Sequence, residues 1–432
     1  MSRRRVLFVS HNHPKVRPGG AEGYAHELHL ALRDSDEWEP TFLAKSGPPL
    51  SRSGRPHEGT YVTPVDGAEA EYFLYADGFD YDWLFGSMRH DKSLYTRHLR
   101  RFLEALRPDV VHFQHTLFIG YDAIREVRRT LPGVPIVYTL HEFLPICRAK
   151  GQMVRTMDGA LCDEESPRRC HECFPEYSPQ TFFLRKRFIQ AQFGLVDLFV
   201  APSAMLRDRY VEWGIPEERL LLEDYGRRLP AAPPADEARA GPRDQLGFFG
   251  QLNPYKGIDV LLEAMSRHAA DRGPQATLRV HGANLDLQEH GFRDRVEVML
   301  AETRDRVIVA GEYAPDQVAP LIAAVDWVVV PSVWWENSPL VIQEAFAHGR
   351  PVICSDVGGM AEKVADGVNG LHFRVGDPAS LAEAIGRAVG TPGLWERLRA
   401  GIARPHAMED HVAVLAAAYE RLLAAAPQRT AA

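Results

Sequence analysis

"DWVVVPSVWWENSPLVIQEA", residues 326–345, runs from an apolar stretch through Pro331-Ser332 and an aromatic loop to Ser338-Pro339 and a second apolar stretch. The first stretch does not alternate, so it reads as a strand covered on both faces. Ser338 is a good N-cap and Pro339 suits the first helical position, which predicts a helix from there on. The free amides of Leu340 and Val341 would then point out of the helix end, where aligned peptide dipoles attract an anion. Glu336 stands before that helix and Glu344 about a turn and a half inside it. Each carboxylate can accept two hydrogen bonds from a vicinal diol. The plainer alternative is a capped helix with two solvated acids, against which the neighbouring Trp334 and Trp335 count.

The same strand-then-helix unit recurs in both directions along the chain. Upstream lie the apolar runs "VLFVS" (6–10), "DVVHFQH" (109–115), "PIVYTLHE" (135–142) and "LFVAPS" (198–203). Ala21, Tyr24, Ala25, Leu28 and Leu32 recur at helical spacing after the first of these. A stretch rich in Ala, Pro and charge, residues 231–245, reads as a linker. A second series follows: "LGFFGQL" (246–252), "TLRVHGA" (277–283), "RVIVAGEY" (306–313), "DWVVVPS" (326–332) and "PVICSD" (351–356), with helical stretches such as Ile258 to His268 and Pro315 to Ala324. Alternation with continuous apolar strands predicts α/β architecture: two doubly wound, Rossmann-like domains facing across a cleft, 1–230 and 246–404. The helical stretch within 405–432 is expected to return to the first domain. Ligands of such sheets bind beyond the carboxyl ends of the strands, so residues just after strands matter most.

Three loops meet that condition. Gly19-Gly20 opens the first helix, as a close approach to phosphate or sugar or as an ordinary turn. It is not G-x-G-x-x-G, which disfavours a dinucleotide oxidoreductase. In "FFGQLNPYKGID" (248–259), Gly250 ends a strand and Lys256-Gly257 opens a helix. Lys256 there can face a phosphate, or be a surface lysine. The third loop is the opening stretch. Amides for a diphosphate, flanked by one acid for each sugar ring, would describe a nucleotide-sugar site. His115 and His141 both end strands; "DYD" at Asp80 to Asp82 reads as a chance match to a metal-binding D-x-D.

In this order, "PGGAE" (18–22), "TLHEF" (139–143), "APS" (201–203), Lys256-Gly257, "PSVWWENSPLVIQEA" (331–345) and "GGMAE" (358–362) resemble the large retaining glycosyltransferase family of GT-B fold, family 4. The resemblance covers nearly the whole chain. It implies that Glu336 contacts donor-sugar hydroxyls and is a candidate catalytic group, that Glu344 binds the ribose, and that Lys256 meets the diphosphate. It further implies that Gly20 approaches the donor phosphate and His141 the reacting sugar, with no metal needed for transfer; His115, from its place at a strand end, reads as acceptor-side lining. Two positions depart from the family pattern. Gln251 stands where an arginine is usual beside the diphosphate, with Arg17 or Arg227 as substitutes, and Pro339 where glycine is common. The alternatives left open are a sugar-nucleotide epimerase and a nucleotide-sugar binding protein without turnover, which Gln251 favours.

Four cysteines fall in one segment, Cys147-x14-Cys162-x7-Cys170-x2-Cys173. C-x2-C in a tight turn plus two further thiols suggests a structural zinc; an iron–sulfur cluster is the metal alternative, free thiols or disulfides the plain one. His171 is a substitute ligand. Cys354, in a strand, reads as core. The segment reads as an insertion, 147–173, beside the acceptor side.

Composition sets the outer bounds. The 432 residues are 45% hydrophobic and 25% charged, ordinary globular usage. A formal net charge of -8 counts against a nucleic-acid partner. No apolar run approaches the roughly 20 residues of a membrane span. "MSRRRVLFVS" (1–10) lacks the long apolar stretch of a signal peptide. The expectation is a cytoplasmic protein, with contact at the inner membrane face left open.

Overall fold

The computed structural model of the chain describes residues 3–16, 19–46, 62–75, 94–117, 119–229, 241–270 and 275–426. Arg17, Asp80 to Asp82 and most of the expected linker lie outside them. The chain packs as two compact units, Met1–Arg228 with His406–Ala432, and Leu229–Pro405.

The first unit is built on an eight-stranded sheet: β1 (Arg4–Ser10), β2 (Trp38–Ser46), β3 (Val62–Pro64), β4 (Glu71–Tyr75), β5 (Val110–Phe113), β6 (Ile136–Thr139), β7 (Leu198–Ala201) and β8 (Leu220–Leu222). Their order is β3-β4-β2-β1-β5-β6-β7-β8. β3 pairs with β4 antiparallel, while β1 runs parallel to both its neighbours, with Val6 opposite Val110 and Pro40. Residues 6 to 9 are buried regardless of which face they point to, which is why no alternation shows in the sequence. The helix Gly20–Arg33 lays Tyr24, Ala25, Leu28 and Leu32 onto the sheet. β2, β3, β4 and β8 were not expected from the sequence.

The C-terminal helix Met408–Ala425 belongs to this unit. It buries Met408, His411, Leu415, Ala418 and Tyr419, an i, i+3, i+4 stripe. Two polar clips fix its rotation. The His411 ring lies 2.7 Å from the Tyr24 hydroxyl and 2.8 Å from Glu223, and Tyr419 lies 2.6 Å from His112. Main-chain bonds join Arg227 to His406 and Met408 at its entry.

The second unit carries six strands: β9 (Gln245–Phe249), β10 (Thr277–His281), β11 (Val307–Gly311), β12 (Trp327–Val330), β13 (Val352–Ser355) and β14 (Gly370–Phe373). They pair in parallel in the order β11-β10-β9-β12-β13-β14. Leu246, Phe248, Leu278, Val280, Trp327, Val329 and Ile353 make the sheet's share of one core, closed by Leu261, Leu262, Leu381 and Ile385 from helices. β14 is the strand the sequence did not announce.

In each sheet the chain leaves a central strand in one direction and later returns to its other side. The reversal lies between β1 and β5 in the first unit and between β9 and β12 in the second. Crevices outside the carboxyl ends of the strands form at such points. No described helix is long and apolar enough to cross a membrane.

Candidate functional site

At the reversal of the second sheet, the loop after β9 meets the loop after β12. Asn253 caps the short turn Pro254–Lys256, its side chain accepting from the Lys256 amide at 3.0 Å. Gly257 then takes the left-handed conformation, φ 66°, and a methylene added there would fall 2.0 Å from the Pro331 carbonyl oxygen. The amide of Val333 donates to the Tyr255 carbonyl at 2.9 Å. The two loops are therefore locked at backbone level before any side chain acts.

Glu336 is the meeting point. Its Oε1 accepts from Lys256 Nζ at 2.5 Å, from Ser332 Oγ at 2.7 Å and from Trp334 Nε1 at 2.9 Å. The Glu336 side chain is 8% exposed, whereas that of Lys256 keeps 32% of its surface in solvent. A buried carboxylate is tolerable here because one full charge and two neutral donors compensate it. From the third side, Gly359 N donates to the Glu336 carbonyl at 2.6 Å, at the start of the helix Gly358–Lys363.

The helix after Glu336 spans Leu340–Ala347. Its N-cap is Pro339, with ψ 114°, and not Ser338. Because Pro339 is extended, its carbonyl starts the ladder, accepting from Ile342 at 3.0 Å. Leu340 and Val341 open the first turn, and half-buried Glu344 lies further in, near enough to help push the Tyr313 hydroxyl, already raised by burial, up to about 12. Gln251 is exposed and accepts from Asn253 at 3.2 Å. The structure thus brings Lys256 and Glu336 together at the head of the helix that carries Leu340, Val341 and Glu344. The sequence did not point to Ser332 and Trp334 as donors to Glu336, although both lie within the stretch that matters.

Comparison with known proteins agrees. Residues 243–390 match the model described as glycosyl transferases group 1, and residues 18–222 match that of glycosyltransferase family 4. The chain belongs to this family. It is 29% identical over 316 residues to a D-inositol 3-phosphate glycosyltransferase of Acidothermus cellulolyticus, a match that covers 70% of this chain. The chain spans 64% of that protein's length. Sucrose-phosphate synthase of Thermosynechococcus elongatus has the same fold, with TM-score 0.73 at 20% identity over 98% of this chain and 100% of the other. So does Anabaena HepE, solved with UDP and glucose, at TM-score 0.65 and 18% identity over 97% of this chain and 100% of that one. These neighbours are GT-B glycosyltransferases.

The motifs at 18–22 and 139–143 fall in the first unit. Gly19 is the extended N-cap of Gly20–Arg33, and a methylene there would meet the Glu22 carboxylate at 2.4 Å. The obstacle is the end of a flexible side chain and the backbone at Gly19 is extended, so a larger residue there would displace the Glu22 carboxylate rather than the main chain. Glu22 pairs with His11 at 3.0 Å; burial raises its pKa, but the bond to His11 overcomes this and holds it below the usual range. Arg227 pairs with Glu27 at 3.2 Å, inside this unit.

His141 and His115 come together, their rings stacked 6.4 Å apart. His141 Nε2 meets Gln114 Oε1 at 3.1 Å, and its Nδ1 meets the Tyr225 hydroxyl at 2.6 Å. The amide of Leu117 donates to His115 Nδ1, which places the proton on Nε2, 3.2 Å from Glu142. Burial holds both rings well below the ordinary histidine value, hence neutral at pH 7. Burial also pushes Glu142 up to about 8, against a bond from the Leu144 amide. Nothing in the sequence distinguished Glu142 from an ordinary surface acid.

The sign of its pH effect follows. Glu142 holds a proton in the folded state that the unfolded chain gives up, so its contribution is full below about pH 4.5 and is lost as pH rises through about 8. The neutral histidines act oppositely and only below their unfolded pKa of 6.5. Between pH 6.5 and 8, Glu142 should therefore remove on the order of 2 kcal/mol of stability. Urea unfolding at the two pH values is expected to show that loss in the native chain and not in Glu142→Gln.

His13, His26 and Glu71 also cluster, with His13 Nε2 2.8 Å and His26 Nε2 3.1 Å from the Glu71 carboxylate. The Lys15 amide donates to His13 Nδ1 at 3.1 Å, so Nε2 carries the proton and donates to Glu71. This is a hydrogen-bonded buried acid and not a ligand set, since a metal-bound Nε2 would need its proton on Nδ1.

Of the cysteines, Cys147 follows the turn after β6, and Cys162 ends the outer arm of a small hairpin bridged at Val154 and Leu161. Cys170 and Cys173 do not form a tight turn. They sit on the helix Pro167–Cys173, capped by Ser166, where i, i+3 spacing puts both on one face. His171 bonds the Tyr177 carbonyl at 2.7 Å. Cys354 is fully buried in β13.

Proposed function

We propose that the chain transfers a sugar from a nucleotide-diphosphate donor to an acceptor hydroxyl with retention at the anomeric carbon. The observation that carries this reading is the convergence of Lys256, Ser332 and Trp334 on Glu336 Oε1, at the head of the helix Leu340–Ala347. In the resting site Lys256 is held by Glu336. A diphosphate arriving at the helix start would draw the ammonium to itself, and Glu336 would turn its acceptor capacity to the hydroxyls of the donor sugar. Glu344, further along the helix, would hold the ribose diol.

Breaking the bond from anomeric carbon to phosphate oxygen leaves charge on the diphosphate. Lys256 and the amides of Leu340 and Val341 would stabilise that charge. The acceptor oxygen bonds the same face of the sugar, and its proton passes to the departing phosphate oxygen. The family resemblance implies that His141 stands near the reacting sugar, while His115, at a strand end, would line the acceptor side; with its two nitrogens held by Gln114 and Tyr225, His141 would have to exchange one of these bonds for a sugar hydroxyl. No metal is needed for this step, as the family resemblance implies. A second reading, nucleotide-sugar binding without turnover, draws on Gln251, a neutral side chain where the family has a cation.

Because HepE was solved with UDP and glucose, UDP-glucose is the first donor to test. The relative's name makes D-inositol 3-phosphate the first acceptor. The expected result is slow donor hydrolysis, faster with acceptor, unchanged by EDTA, and a product whose anomeric proton coupling matches that of the donor. A panel of nucleotide sugars that raises the melting temperature but yields no product would favour the binding reading. An inverted product would sink the mechanism.

A further inference from the structure

Cys147, Cys162, Cys170 and Cys173 line one partly open cavity together with Arg148, Arg155 and Arg169. The spacing of the thiols decides what could fill it. One zinc ion with four thiolates at 2.3 Å in a tetrahedron brings every pair of sulfurs to about 3.8 Å. Among the described residues, the sets of three or more ligand atoms within 4.8 Å of one another are His13–His26–Glu71 and Glu223–His406–His411. The cysteines form no such set. They line one space, yet in this structure no three of their sulfurs lie within 4.8 Å of one another, which is wider than the edge of a four-thiolate zinc site.

That combination is what a multinuclear centre requires, because its thiolates are divided among several iron atoms with bridging sulfide between them. We propose that the four cysteines ligate an iron–sulfur cluster, where the sequence spacing alone had favoured zinc. A cluster held by four thiolates is an anion; of the three arginines that border the cavity, Arg155 pairs with Asp158 and Glu172 and Arg169 with Asp163 and Glu164, while Arg148 lies over the Phe174 ring.

Four protein ligands leave no open coordination position, so the centre would act as a staple. It would tie the turn after β6, the Val154–Leu161 hairpin and the helix Pro167–Cys173 into one body. That body begins five residues beyond Glu142. Buried Arg185 supports the same turn, donating to the carbonyls of Leu144 and Pro145 at 2.6 and 2.7 Å. The inference does not depend on which sugar is transferred, or on whether any is.

The test is metal and sulfide analysis of the full chain, purified without oxygen from iron-supplied cells and, separately, after reconstitution with iron and sulfide. Expected are iron and acid-labile sulfide in equal amounts, with a broad visible absorption that bleaches on reduction. Cys162→Ser and Cys170→Ser should each lose at least ten-fold in bound iron, while Cys354→Ser should retain it all. One zinc per chain without sulfide would overturn the proposal, as would a reconstituted chain that takes up neither iron nor sulfide. Either result is obtained on the unaltered chain, so it holds even if the serine variants fail to fold.

Discussion

Lys256→Ala should lower kcat/KM by about 10²- to 10³-fold, the range found when a preplaced donor is removed from a developing anion. The loss belongs mainly to kcat, because the diphosphate gains charge as the bond to the sugar breaks. The substitution has a second consequence that separates this site from a surface lysine. Glu336 would lose its only full countercharge among its three Oε1 donors while remaining almost wholly buried. Ser332 and Trp334 continue to donate, so the cost in stability is about 1–3 kcal/mol rather than that of an orphaned charge. Lys256→Arg should restore much of the stability but not the rate, since a planar fork cannot reproduce a compact ammonium at 2.5 Å. Steady-state kinetics with the donor found active, beside urea unfolding, measure both effects. If Lys256→Ala unfolds no more easily than the native chain and keeps its kcat, the Lys256–Glu336 pair is incidental and the donor site lies elsewhere.

The alternation of apolar strands and helices was legible because parallel strands covered on both faces leave unbroken hydrophobic runs. β1, β5, β6, β7 and β9 to β13 all stand out for that reason. β2 does not, because "WEPTFLAKS" carries a proline and charges, and Lys45 is nevertheless buried at 2% exposure. β8 has only three residues, and β14 reads "GLHF", an apolar run broken by a glycine and a histidine. Ser-Pro pairs show the limit of local signals. Ser166-Pro167 and Ser178-Pro179 start helices with serine as N-cap and proline as first residue. At Ser338-Pro339 the proline itself is the cap, because the loop clamped around Glu336 delivers the chain one residue later. The individual residues of the site were readable from their place after strands. Their mutual contacts were not: Lys256 and Glu336 are 80 positions apart and meet only because the sheet reverses between β9 and β12. The wide spacing of the four thiols and the protonated state of Glu142 are likewise consequences of packing, with no counterpart in the order of residues.

Gly359→Ala should do as much damage as removing Lys256, without touching a charged group. A methyl group at 359 would be 1.6 Å from the Asn337 carbonyl oxygen and 2.9 Å from that of Glu336, while the Gly359 amide is pinned to the Glu336 carbonyl at 2.6 Å. The obstacle is backbone, so no rotamer relieves it. Either the helix Gly358–Lys363 or the Glu336 loop must move. The expected cost is about 3 kcal/mol in urea unfolding, at the upper end for overpacking, because both walls are rigid. Displacing the Glu336 main chain by even part of an ångström misplaces the carboxylate against the donor sugar, and a misplacement of that size costs about 10²-fold in rate. Gly367→Ala provides the comparison. Gly367 has φ 73° but open space around it, so its substitution incurs only the left-handed backbone cost, about 1 kcal/mol. If the two variants lose the same stability, or if Gly359→Ala keeps full kcat/KM, then close approach at Gly359 does not set the position of Glu336, and the loop is held by its side-chain bonds alone.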